Sequence, residues 1–152
     1  MNINIQYCVK KKNGIPAKKD FIQWLYFIFY KQNIELTIRI VTTKEIKKLN
    51  YRYRNKNIET NVLSFPMNNL SHKKHDRKIY LGDIVICSQY LKKEAYKFKK
   101  NIKEHWAHIV IHAGLHLINY THNTAKKQKR MENLEKKIMR KLGYQNPYLE
   151  NS

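Results

Sequence analysis

The amino-acid sequence predicts an α+β domain in which a small mixed sheet packs against helices. Two observations carry this. Strand-like segments with alternating apolar residues are mixed with segregated helix-like segments whose apolar residues recur every three or four positions. No linker or internal repeat divides the 152 residues, so residues 1–152 read as one domain with one core. The hydrophobic content of 42% makes a packed interior feasible.

The elements follow in order. Ile3, Ile5 and Tyr7 alternate with polar residues and predict a first strand. Lys10 to Asn13 with Gly14 forms a turn, and Pro16 suits the first turn of a helix carrying Phe21, Leu25, Ile28 and Phe29. Glu35 to Val41 alternates and is β-branched, a second strand. Thr42 or Thr43 can cap a short helix containing Ile46 and Leu49. Asn61 to Phe65 reads as a strand that Pro66 ends. Met67 to Lys78 is polar and lysine-rich, a loop, and Ile79 to Ile86 is another strand. Ser88 can cap a helix through Tyr90, Leu91, Ala95 and Phe98. Glu104 to Ile118 is a helix with Trp106, Ile109, Val110, Ala113 and Leu117 as its apolar surface. Gln128 to Leu142 is the last helix, with Met131, Leu134, Ile138 and Leu142 at helical spacing and Gly143 as its stop.

Composition narrows the functional classes. Cys8 and Cys87 match no ligand pattern and read as small apolar residues, which fits a reducing compartment. Met1 to Ile5 does not resemble a signal peptide, and the apolar stretch Phe21 to Tyr30 is too short to span a bilayer. The expected location is therefore cytoplasmic, with no membrane partner. The net charge is +20, from 31 Lys and Arg against 11 Asp and Glu. Such an excess favours polyanions, nucleic acid first. Part of the lysine excess is also what an AT-rich genome produces on solvated faces.

Three histidines carry the chemistry. His112 and His116 stand one helical turn apart, on one face. His122 follows Asn119, a residue that tolerates the left-handed conformation ending many helices. A turn there swings His122 back toward the other two. Three imidazoles around one point, with a fourth position open, make a catalytic zinc site. His108 and His112 are also four apart, but only the later pair has a third histidine past a helix-ending turn. His72, His75, His105 and His108 read as surface or supporting residues. The spacing H-x-x-x-H-x-x-x-x-x-H is shared with metzincin peptidases, whose general base is the Glu after the first His. Here that position is Ala113, which argues against a zinc peptidase.

The string from His112 to His122 resembles the signature H-G-x-L-H-L-x-G-Y-D-H of the YbeY family of bacterial metal-dependent endoribonucleases. Thr60 to Pro66 is similar to that family's T-N-V-L-S-F-P, and Leu81 to Cys87 to its L-G-D-I-V-I-C. Leu142-Gly143-Tyr144 also fits. The resemblance covers most of the chain and is weakest over the first forty residues. Ala113 and Asn119 stand where the family has Gly, and Thr121 where it has Asp. Thr121 matters most, because an Asp beside a ligand can orient imidazoles.

The resemblance implies a zincin-like arrangement with the zinc-binding helix in the core. It implies a single-strand-specific endoribonuclease, using one Zn²⁺ held by His112, His116 and His122, in rRNA processing and ribosome biogenesis. That includes 16S rRNA 3′-end maturation, with single-stranded rRNA and small-subunit components as partners. It places a functional arginine at Arg54, making Arg54 and His112 the candidate catalytic residues and Arg54 and Ser64 the candidate substrate-binding ones. Asp83 reads as a turn residue or a support behind the ligands. The alternative is a catalytically weak assembly factor that binds rRNA or a ribosomal protein and uses zinc for structure only.

Overall fold

The computed structural model describes residues 1–67 and 78–149. Its elements run β1 (Asn2–Tyr7), α1 (Lys18–Phe29), β2 (Ile34–Val41), α2 (Thr43–Arg54), β3 (Val62–Pro66), β4 (Ile79–Cys87), α3 (Ser88–Lys97), α4 (Ile102–Leu117) and α5 (Ala125–Lys141). Every predicted strand and helix is present. The ends move by a few residues, because caps decide them. Pro16 lies before α1 rather than in its first turn. Thr42 caps α2 by accepting from the Glu45 amide. Cys87, not Ser88, holds the cap position of α3. Asn101 accepts from the Glu104 amide and starts α4 two residues early. Thr124 does the same for α5 through Lys127. The predicted loop Met67 to Lys78 lies outside the described residues except at its ends, which belong to no element.

The four strands form one mixed sheet in the order β1-β2-β4-β3. β1 and β4 both run parallel to β2, while β3 runs antiparallel to β4 at the edge. Strand alternation sends Leu36, Ile38, Ile40, Ile84 and Ile86 to one face, against α1, α4 and α5. Val41, Leu63, Val85 and Cys87 face the other way, against Ile46 of α2. Pro66 is tolerated because it ends an edge strand, opposite Gly82. Gly82 is required there: a Cβ on it would sit 2.1 Å from the Phe65 carbonyl oxygen.

Helix α4 is the most enclosed. Trp106, Ala107, Val110, Ile111, Ala113, Gly114, Leu115 and Leu117 are all buried. Gly114 lets α1 come close, since a Cβ there would meet Leu25 Cδ2 at 2.8 Å. Ser64 of β3 donates to the Ala113 carbonyl at 3.2 Å and ties the sheet edge to the same helix. A helix held on three sides presents its remaining face in a fixed position. His112 and His116 lie on that face, each half-buried.

Candidate metal centre

The site is built from one helix and one turn. Helical spacing brings His112 Nε2 and His116 Nε2 to 3.1 Å. The helix ends at Ile118, and Asn119 follows with φ +72°, the left-handed conformation expected of it. That residue reverses the chain and returns His122. Its ring lies 5.8 Å from His112 and 5.0 Å from His116, centre to centre. One ligand atom from each of the three lies within 4.8 Å of the others. Tetrahedral zinc with bonds of about 2.0–2.1 Å needs nitrogens roughly 3.3 Å apart. The His112–His116 spacing is close to that demand, and exposed His122 stands beside both rings.

Protonation also favours a cation. Burial, followed by the like charges of His112 and His122, holds the His116 ring well down, at about 4. At neutral pH it is therefore a neutral imidazole, the form that ligates. A hydrogen bond with the Tyr120 backbone opposes this shift without reversing it.

Glu135 of α5 sets the orientation of His112. Its carboxylate is fully buried and takes His112 Nδ1 at 2.6 Å. An ionised carboxylate only accepts, so Nδ1 carries the proton and Nε2 keeps its lone pair toward His116. The same Oε1 lies 3.3 Å from His108 Nε2, and the Tyr148 hydroxyl donates to Oε2. Burial alone would raise the Glu135 carboxyl. Hydrogen bonds from His108 and His112 outweigh it and bring the group to about 2. Burial and the neighbouring Glu135 charge push the Tyr148 phenol well up, so it stays a donor. A carboxylate behind a ligating imidazole is the usual support of a zinc site. Beside it a cleft of about 170 Å³ opens, with His112, His122, Glu132 and Tyr148 on its wall. Pockets for drug-sized ligands run to about 300 Å³ and more. This one is smaller than that.

Sequence reasoning missed Glu135 and Tyr148. A signal for the first exists: Glu135 is four residues after Met131 and three before Ile138, on the buried stripe of α5. A carboxylate on an apolar stripe has to be paired. Thr121, expected to matter because it replaces an Asp, donates to Asn123 at 3.2 Å, and Glu135 supplies the support instead.

The other expected residues fall as follows. Ala113 is wholly buried, so the position of a peptidase's base faces the core. Arg54 is the exposed last residue of α2. Its neighbour Tyr53 packs edge-on against Phe65 of β3 at 5.0 Å, next to Ser64. Ser64 is half-buried, with its proton on Ala113. Asp83 is not in a turn: it lies within β4 and accepts from the Tyr80 hydroxyl, with no bond to His112, His116 or His122. His105 is buried on Glu94 at 3.1 Å, and His108 supports Glu135. His72 and His75 lie outside the described residues.

Comparison with known proteins points to one family. A family model described as Endoribonuclease YbeY matches residues 7–143. An Endoribonuclease YbeY of Buchnera aphidicola subsp. Acyrthosiphon pisum is 48% identical, over 99% of this chain and 96% of the relative. Another, from Buchnera aphidicola subsp. Cinara cedri, is also 48% identical, over 97% and 95%. The solution structure of TM1509 from Thermotoga maritima superposes with a TM-score of 0.59 at 22% identity, over 93% of this chain and 91% of that one. It shares the fold.

Proposed function

This chain belongs to the YbeY family of endoribonucleases, and from that premise we propose a zinc-dependent endoribonuclease that cuts single-stranded RNA in ribosomal RNA maturation. The 3′ end of 16S rRNA is among its substrates, small-subunit components are its partners, and it works in the cytoplasm. The observation that carries the reading is the three-imidazole cluster backed by a buried carboxylate.

His112, His116 and His122 hold the ion. A zinc ion held there would supply Lewis-acid chemistry, polarising a phosphoryl oxygen or lowering the pKa of a water to about 7. The chain's own groups do the rest. Glu135 keeps His112 in one tautomer and one orientation. Helix α4, held on three sides, keeps His112 and His116 from drifting apart. Arg54, at the open end of α2, offers a guanidinium for the phosphoryl oxygens as charge grows on them. Ser64 has given its proton to Ala113, so it meets substrate as an acceptor, for instance of a ribose hydroxyl. The basic surface holds the strand on either side of the cut.

The test is cleavage of an unstructured RNA by purified protein as isolated, after chelation, and after zinc is restored. Activity should vanish with chelation, return with zinc, and be absent from His116→Ala. Cleavage that survives chelation would remove the metal from the mechanism. RNA binding without cleavage under any metal would leave the assembly-factor reading standing.

A further inference from the structure

The largest cavity among the described residues is not at the histidines. It is a groove of about 1280 Å³ running between the segment after β1, the start of α3 and the start of α4. No histidine lines it. Trp106 forms part of its wall, ten residues before His116 on α4, hence about 15 Å away along the helix axis.

Its position follows from topology. β1, β2 and β4 are mutually parallel, so their C-terminal ends lie along one edge of the sheet. Tyr7, Thr42 and Ser88, the residues at or just after those ends, all line the groove. Sheets with parallel strands characteristically bind ligands in the crevice outside those ends. The N-terminal ends of α2 and α3 lie at the same rim and add positive potential.

Its chemistry points to one class of occupant. Lys10, Lys11 and Lys92 line it, with Lys100, whose ammonium donates to the Pro147 carbonyl, and no Asp or Glu does. Lys12 adds a fifth ammonium, 4.9 Å above the Tyr7 ring. Tyr96 is 89% exposed, an aromatic face left in solvent beside those cations. Cations along a groove with an open aromatic platform are what unpaired nucleotides require, phosphates on the first and a base on the second. The volume exceeds the roughly 300–1,000 Å³ of small-molecule sites, which favours a polymer segment.

We propose that this groove is a second binding site for single-stranded RNA, seating nucleotides remote from the bond that is cut. It rests on RNA being the substrate but not on the zinc chemistry. The site sets affinity and length preference, and leaves the chemical step alone.

The experiment compares wild-type chain with Lys10→Ala/Lys11→Ala/Lys92→Ala and with Tyr96→Ala. Binding of an unstructured RNA of about 16 nucleotides is measured by anisotropy against salt, beside cleavage of one of about 4 nucleotides. The triple variant should bind the longer RNA at least tenfold more weakly. Its slope of log affinity on log salt should fall by about 2, since each lost phosphate contact removes about 0.7. Tyr96→Ala should weaken binding with no change in slope. Both should cut the short RNA at the wild-type rate. Exposed Cys8 lines the groove while Cys87 is buried, so a thiol-directed photo-crosslinker on Cys8 should capture the longer RNA. Unchanged affinity and slope in the triple variant, or no capture at Cys8, overturns the site and returns the groove to some other partner, such as an acidic protein. Failure of the wild-type chain to cut either RNA, with the binding differences intact, would count against the nuclease reading and not against the groove.

Discussion

His108 and His112 are four residues apart on α4, and so are His112 and His116. Both His108 and His112 reach the same oxygen of Glu135, yet they serve differently. His108 meets the carboxylate with Nε2, the outer nitrogen of its ring. His112 meets it with Nδ1 and keeps Nε2 turned toward His116. His105, a further turn back, also uses Nε2, on Glu94. One helix thus carries carboxylate-paired histidines in its first half and, in its second, two of the three clustered ones that could hold a metal. What separates them is which nitrogen the neighbouring carboxylate takes.

The widest test of that distinction is to remove one residue from each half. His112→Ala should abolish zinc binding and RNA cleavage together, with affinity for RNA largely kept. His105→Ala should retain one zinc per chain by elemental analysis. It should instead lose about 1–3 kcal/mol of stability to urea, because loss of the buried His105 ring leaves Glu94 without that hydrogen bond. Zinc retained without His112 would erase the division between the halves.

Glu135→Gln sharpens it at the next level. An amide can still accept from Nδ1 but lacks the charge that keeps the imidazole basic. Zinc affinity, read by competition with a chromogenic chelator, should fall about 10- to 100-fold. Affinity equal to wild type would mean that helix spacing alone makes the ligands. Arg54→Ala acts elsewhere. We expect cleavage slowed by about 100-fold with zinc still bound, since a guanidinium on the phosphoryl oxygens stabilises charge without holding the ion. Wild-type rates would make Arg54 an ordinary surface cation.

His116 and the carboxylate behind His112 should also separate by pH in metal-free protein. His116 is held near 4 against an ordinary 6.5, so the unfolded chain takes up that proton first. Its contribution is full above about pH 6.5, declines as pH falls toward 4, and is flat below. Glu135 is held near 2 against 4.5, so its contribution declines only between those values. Urea midpoints across pH should show the upper step vanish in His116→Asn while the lower one remains. The smallest effect belongs to the turn. Asn119→Ala should cost about 1–2 kcal/mol, because φ is +72° there, and Asn119→Gly much less. Identical zinc affinity in both would show that His122 finds its place without the turn.

Local geometry explains what could be read from residue order. A helix spaces His112 and His116 wherever it lies, an asparagine accepts positive φ wherever the chain must turn, and alternation marks a strand before its partner is known. The clustering of His112, His116 and His122, the elements and the α+β class are legible for that reason. Asp83 was misjudged as a turn residue because it follows Gly82, whereas that glycine is needed for close approach of β3 inside a strand. The tertiary structure alone decided three things: that β1 and β4 both run parallel to β2, that a groove therefore forms at their shared ends, and that Glu135 stands behind His112. Each depends on groups 23 or more residues apart in the chain for which no short-range pattern exists. Spacing is a property of one helix, but the choice of proton-bearing nitrogen on His112 is made by a carboxylate that only packing brings there.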